Sequence, residues 1–144
     1  MSDNVTLVAL GLLVLRIALG VVLFAHGAQK VLGWFGGHGL KGTIGFFKSA
    51  WNIPPAFGYI GAFTEFLGSV AVLAGFLTKL TALGLFVEMI VALYVGHRRN
   101  GFFMNWGAEA NKYEGYEFTA TLALVALALV LIGAGAYSVD ATLW

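Results

Sequence analysis

Arg16 stands near the middle of Val5–Leu32, a run of apolar residues almost free of charge until its far end. Two later apolar runs each carry one acid near mid-length, Glu65 and Glu88. A charge at mid-bilayer costs at least roughly 2.5–3.5 kcal/mol, so each must face a partner or a polar cavity. Residues three, four and seven apart share a helix face. From Arg16 that face runs through Gly20, Leu23, Gly27 and Lys30. Glu65 shares one with Gly61, Gly68 and Val72, and Glu88 shares one with Thr81, Gly84 and Val91. Small residues on these faces allow close backbone approach, and Arg16 is expected to pair with Glu65, Glu88 or both. Such a cluster admits two readings. It is a structural ion pair that fixes helix register, or a site that binds an anionic or quinone-like headgroup or relays protons.

A second constellation, His26, Gln29 and Lys30, closes the first run, with His26 and Lys30 at i, i+4. Histidine titrates near neutrality and can exchange a proton with a reducible ligand. His97 and His38 fall towards the same end. No HxxxH or ExxH spacing occurs and Lys30 opposes a cation beside His26, so neither a metal site nor haem is expected. Glu117 opens the last apolar run. It either caps that helix, where the helix dipole favours an acid, or reaches His26 or Lys30. Asn100-Gly101-Phe102-Phe103 begins with a turn signal, and its aromatic pair is expected to dip towards the bundle as a lid.

The elements that must position these residues follow from composition. Hydrophobic residues make up 60% of the 144 and charged residues 10%, whereas soluble domains average about 25% charged. A net charge of +1 with eight Lys and Arg excludes a nucleic-acid surface. The absence of cysteine excludes disulfides, thiolate metal sites and dithiol chemistry by the chain itself. A spanning helix needs about 20 apolar residues. The fold expected is an all-α integral membrane protein, a single domain 1–144 with four transmembrane helices at about 5–32, 55–77, 80–96 and 117–136. The acidic start, Met1-Ser2-Asp3-Asn4, predicts that the first is a retained span and not a leader. Gly42–Ala50 is expected to form a short interfacial helix. With four spans, Lys79 lies on one side, against Lys30, Lys41, Lys48, Arg98, Arg99 and Lys112 on the other. The excess predicts cytoplasmic long loops and external termini.

The order Arg16, His26-Gly27-xx-Lys30-xx-Gly33, Glu65-xx-Gly68, Asn100-Gly101-Phe102-Phe103, Gly115-Tyr116-Glu117 and Tyr137-Ser138-Val139-Asp140 resembles the DoxX family of small bacterial membrane proteins. The resemblance runs from about Leu13 to Trp144. It implies a four-helix bundle in the bacterial inner membrane, distantly related to vitamin K epoxide reductase-like and methylamine-utilisation membrane proteins. Related DoxD proteins are membrane subunits of thiosulfate:quinone oxidoreductases, and some DoxX members are partners of enzymes that handle superoxide and thiols. The missing cysteines depart from the dithiol-using relatives. The implied partners are the lipid bilayer and other membrane or redox-enzyme subunits. Two functions follow. One is a non-catalytic subunit or adaptor of a redox complex. The other is a quinone-binding oxidoreductase subunit, with Arg16, His26, Lys30 and Glu65 lining the site and donating to a reduced carbonyl. Small-solute transport is weaker, because no broken helix or inverted repeat is visible.

Overall fold

The computed structural model describes residues 2–143, with side chains from Asn4 onwards. Met1 and Trp144, at the ends of the N-terminal reading and of the resemblance, lie outside the described residues. Helices α1 (Ser2–Val31), α3 (Pro55–Ala74), α4 (Thr78–Ala92) and α5 (Glu117–Ile132) form an all-helical bundle. A π turn, Leu93–His97, extends α4, and a 3-10 turn at Trp34–Gly36, α2 (Gly39–Trp51) and the short α6 (Asp140–Leu143) complete the order. No strand occurs among the described residues. Helix α1 packs on α3, α3 on α4, and α4 on α5, which returns to α1. Leu19, Leu23, Val72, Leu85, Ala126 and Leu129 fill the centre.

Among the described residues, three helices are long and apolar enough to cross a membrane: Asn4–Val31, Pro55–Ala74 and Thr78–His97. The fourth differs from the expected 117–136. It stops at Ile132 after 16 residues, about 24 Å at 1.5 Å per residue. Gly133 turns out of the helix at φ 96, and Gly135 follows at φ 77. Between and beyond them the chain aims carbonyls of Ala134 and Tyr137 into the bundle, where they serve Arg16. The interfacial helix spans Gly39–Trp51, three residues earlier and one later than expected.

The expected glycine faces do bring backbones together. A Cβ on Gly27 would lie 2.6 Å from Phe66 Cα, and one on Gly68 would lie 3.3 Å from Leu85. These contacts fix α1 antiparallel to α3 with Gly27 beside Phe66. Helix α1 ends short of the start of α3, and α2 folds into the gap. Ile44 and Phe47 of α2 meet Gly58, while Trp51 meets Gly96 in the π turn. The α4 face is less regular than expected: Ala82, Leu85 and Met89 are the core side, and Val91 points outward at 46% exposure.

Candidate functional site

The bundle contains two separate polar centres, one at each level of α1. Arg16 and Lys30 are fourteen residues apart, about 21 Å along a helix. That separation overturns the expected pairing of Arg16 with Glu65 or Glu88. In the antiparallel register Arg16 meets the C-terminal end of α3, while Glu65 sits beside the last turns of α1.

Arg16, 2% exposed, makes four hydrogen bonds, all to backbone carbonyls. Its Nε donates to Val72 O at 2.9 Å and Nη2 to Leu73 O at 2.6 Å. Nη1 donates to Ala134 O at 3.2 Å and Tyr137 O at 2.5 Å. Helix C-termini expose carbonyls that have no partner within the helix, and one guanidinium here collects those of α3 and of the segment after α5. Gly75 makes room. It ends α3 at φ 69, and a Cβ there would lie 2.7 Å from Arg16 Cζ. Asp140, near enough to offset the guanidinium charge, accepts from the N–H groups of Leu77 at 2.7 Å and Thr78 at 2.9 Å. It thus caps α4 from the far end of the chain, as N-terminal turns favour. This centre holds the turn, the chain end and α1 together, with four of the five guanidinium N–H groups committed to backbone.

The second centre is Lys30, Glu65 and Glu88. The Lys30 ammonium is bonded to Glu65 Oε2. Glu65 is 1% exposed, and Glu88 reaches it from α4 within hydrogen-bonding range. Lys30 also lines a recess of about 310 Å³, at the lower end of ligand pockets, roughly 300–1,000 Å³. Gln29, His38, Thr43, Phe47 and Trp51 form much of the wall. Thr43 Oγ1 donates to Lys30 O at 3.3 Å, and Gln29 Nε2 to Phe35 O at 3.2 Å, so α2 and its leading loop are tied to the last turn of α1. The loop packs tightly there: Gly37 leaves no space for a Cβ beside the Gln29 backbone. The recess joins polar donors to aromatic walls, with a buried carboxyl pair behind its lysine.

Of the residues singled out in the sequence, Lys30, Glu65 and Glu88 meet, and Gln29 shares the recess wall with Lys30. His26 does not; it is exposed and its ring lies against Phe118. Glu117 reaches neither His26 nor Lys30. Its Oε1 accepts from Met104 N–H at 2.8 Å and the Trp106 indole at 3.0 Å, so it anchors the long loop. Asn100 Nδ2 donates to Gly96 O and Glu114 O. The carbonyls of Gly101, Phe102 and Phe103 accept from Tyr116, Glu117 and Gly115. This ladder uses the backbone of the expected lid and turns its rings outward, Phe102 at 48% and Phe103 at 71% exposure. It forms no lid over the bundle. Thr43 and Trp51 were not singled out as site residues, and His38 was noted only as a loop histidine; of the three, only Thr43 falls in the Gly42–Ala50 pattern that predicted α2. Asp140 and Gly75 also escaped assignment, although Asp140 closes one of the quoted motifs.

The fold defines a helical membrane protein with a buried ionic interior. A family model for DoxX matches residues 11–98; the chain belongs to the DoxX family. It is also 28% identical, over 131 residues, to a Bacillus subtilis (strain 168) protein named "Putative oxidoreductase CatD". That match covers 91% of this chain and 85% of the relative. No solved structure matches the chain.

Proposed function

We propose that this DoxX protein is the membrane subunit of a bacterial oxidoreductase assembly, and that it binds a quinone ring in the recess beside Lys30. The observation that carries the reading is that Lys30 both lines that recess and bonds one of two neighbouring buried carboxyls. The residues fit such a ring. Lys30, His38 and Gln29 supply donors for a carbonyl, and Phe47 and Trp51 supply flat apolar surface. A bound quinone would supply a two-electron, two-proton acceptor. Lys30 would hold positive charge against the carbonyl as electron density grows there, the role of preorganised donors in general. The aromatic wall would orient the ring and limit water. Electrons come from a partner protein, because this chain has no cysteine to oxidise. Exposed Phe103, Trp106 and Tyr113 at 71–79% offer that partner or the headgroup layer an aromatic surface.

Titrating the protein in lipid nanodiscs with a short-chain quinone tests the site. Quenching of tryptophan emission is expected to contain a saturable component that disappears in Trp51→Phe and weakens at least tenfold in His38→Ala. Quenching that grows only in proportion to quinone in the lipid would end the assignment.

The long loops are placed in the cytoplasm. Setting aside Lys30, which is bonded to Glu65, five cations remain on that side against Lys79. Lys41 is exposed on α2, and the cysteine-free background makes Lys41→Cys a clean reporter. It is expected to resist an impermeant thiol reagent in intact cells and to react after permeabilisation. Labelling in intact cells would reverse the orientation.

A further inference from the structure

The Lys30 centre holds two carboxyls against one ammonium. Glu65 Oε2 is taken by Lys30, but Glu65 Oε1 is buried with no hydrogen-bond donor. Glu88 Oε2 is likewise buried without one, and the two carboxyls lie within hydrogen-bonding range of each other. An ionised carboxylate only accepts. Two ionised groups here would face each other as like charges, with unmet acceptors in buried surroundings that disfavour the charged form. The surroundings supply no further charge to resolve this. Among the described residues, Lys30 of α1 is the cation facing the pair. On α5 the ionisable residue is Glu117, which is engaged by the loop. Lys41 and Lys48 of α2 are exposed, and His26 lies against Phe118.

We propose that Glu65 and Glu88 form an intramembrane site for a single proton. Glu65 stays ionised against Lys30, while Glu88 carries the proton and donates it to Glu65. One bound proton makes the Lys30–Glu65–Glu88 centre electrically neutral and satisfies a buried acceptor; no electron moves and no bond other than O–H forms or breaks. The site stands on the geometry of the carboxyls and holds whether or not the recess takes a quinone. If it does, a proton lies one side chain from the ring.

The test uses the whole protein in nanodiscs near neutral pH. Infrared spectra with unlabelled and ¹³C-carboxyl glutamate are expected to show an isotope-shifted band of a protonated carboxyl, absent in Glu88→Gln. Dicyclohexylcarbodiimide, which adds to protonated carboxyls in apolar surroundings, is expected to leave its adduct on Glu88. Adduct mapping on the wild-type protein covers the case in which Glu88→Gln fails to fold. Neither band nor adduct in the wild-type protein would overturn the proposal, as would a band unchanged in Glu88→Gln. Since no quinone is present, these outcomes are separate from the quenching titration.

Discussion

Arg16→Met should not assemble normally, even though methionine is apolar and of similar length. The guanidinium donates to four carbonyls from two chain segments. A hydrogen bond to a charged group contributes roughly 1.5–3 kcal/mol, so losing all four should lower stability by at least about 3 kcal/mol. Arg16→Lys is expected to recover only part of this, because one ammonium cannot reproduce the planar fork of donors. Thermal unfolding in detergent, followed by tryptophan emission, measures both. A variant Arg16→Met that melts with the wild-type protein would show that lipid or water replaces the guanidinium at those carbonyls. Because the donors are committed to backbone, saturable quinone quenching should survive in whatever fraction of Arg16→Lys is folded.

Lys30→Met should cost more than its half-buried position suggests. It strands Glu65, 1% exposed, without its counter-charge. Removing one partner of a buried ion pair typically costs about 3–5 kcal/mol, while replacing both with neutral groups is often close to neutral. The double variant Lys30→Met/Glu65→Gln is therefore expected to regain most of the lost stability. Quinone quenching should not return with it, since the ammonium at the recess is gone. Restored stability with unchanged quenching would separate the recess from the ion pair and remove Lys30 from the ligand site. A double variant as unstable as Lys30→Met would show that the lysine acts through packing rather than charge. The pair thus divides the structural and functional readings that the apolar sequence leaves open.

The helices were legible because their signal is local. Runs of apolar residues bounded by Pro54-Pro55 or by glycine are readable in one dimension, and α1, α3 and α4 fall within a few residues of their expected ends. The early end of α5 was not legible. Nothing in Leu131–Tyr137 alone says that its carbonyls turn inward to meet a cation more than a hundred residues earlier in the chain. The ionic residues were recognisable by the cost of placing charge among apolar neighbours. Their pairing was not, because two cations on α1 and acids on three other helices can be matched in several ways until the helices are set side by side.

Composition and periodicity determined by themselves that this is a helical membrane protein with charges turned inward and glycines on its packing faces. Tertiary structure decided which charge meets which. The close approach of Gly27 to Phe66 sets the offset between α1 and α3, and that one offset sends Arg16 to the carbonyls at the end of α3 and Lys30 to Glu65. A periodic pattern says which way a side chain points around its helix. How far the helix slides along its neighbour depends on steric fit between two surfaces, and that is a property of neither strip of sequence alone.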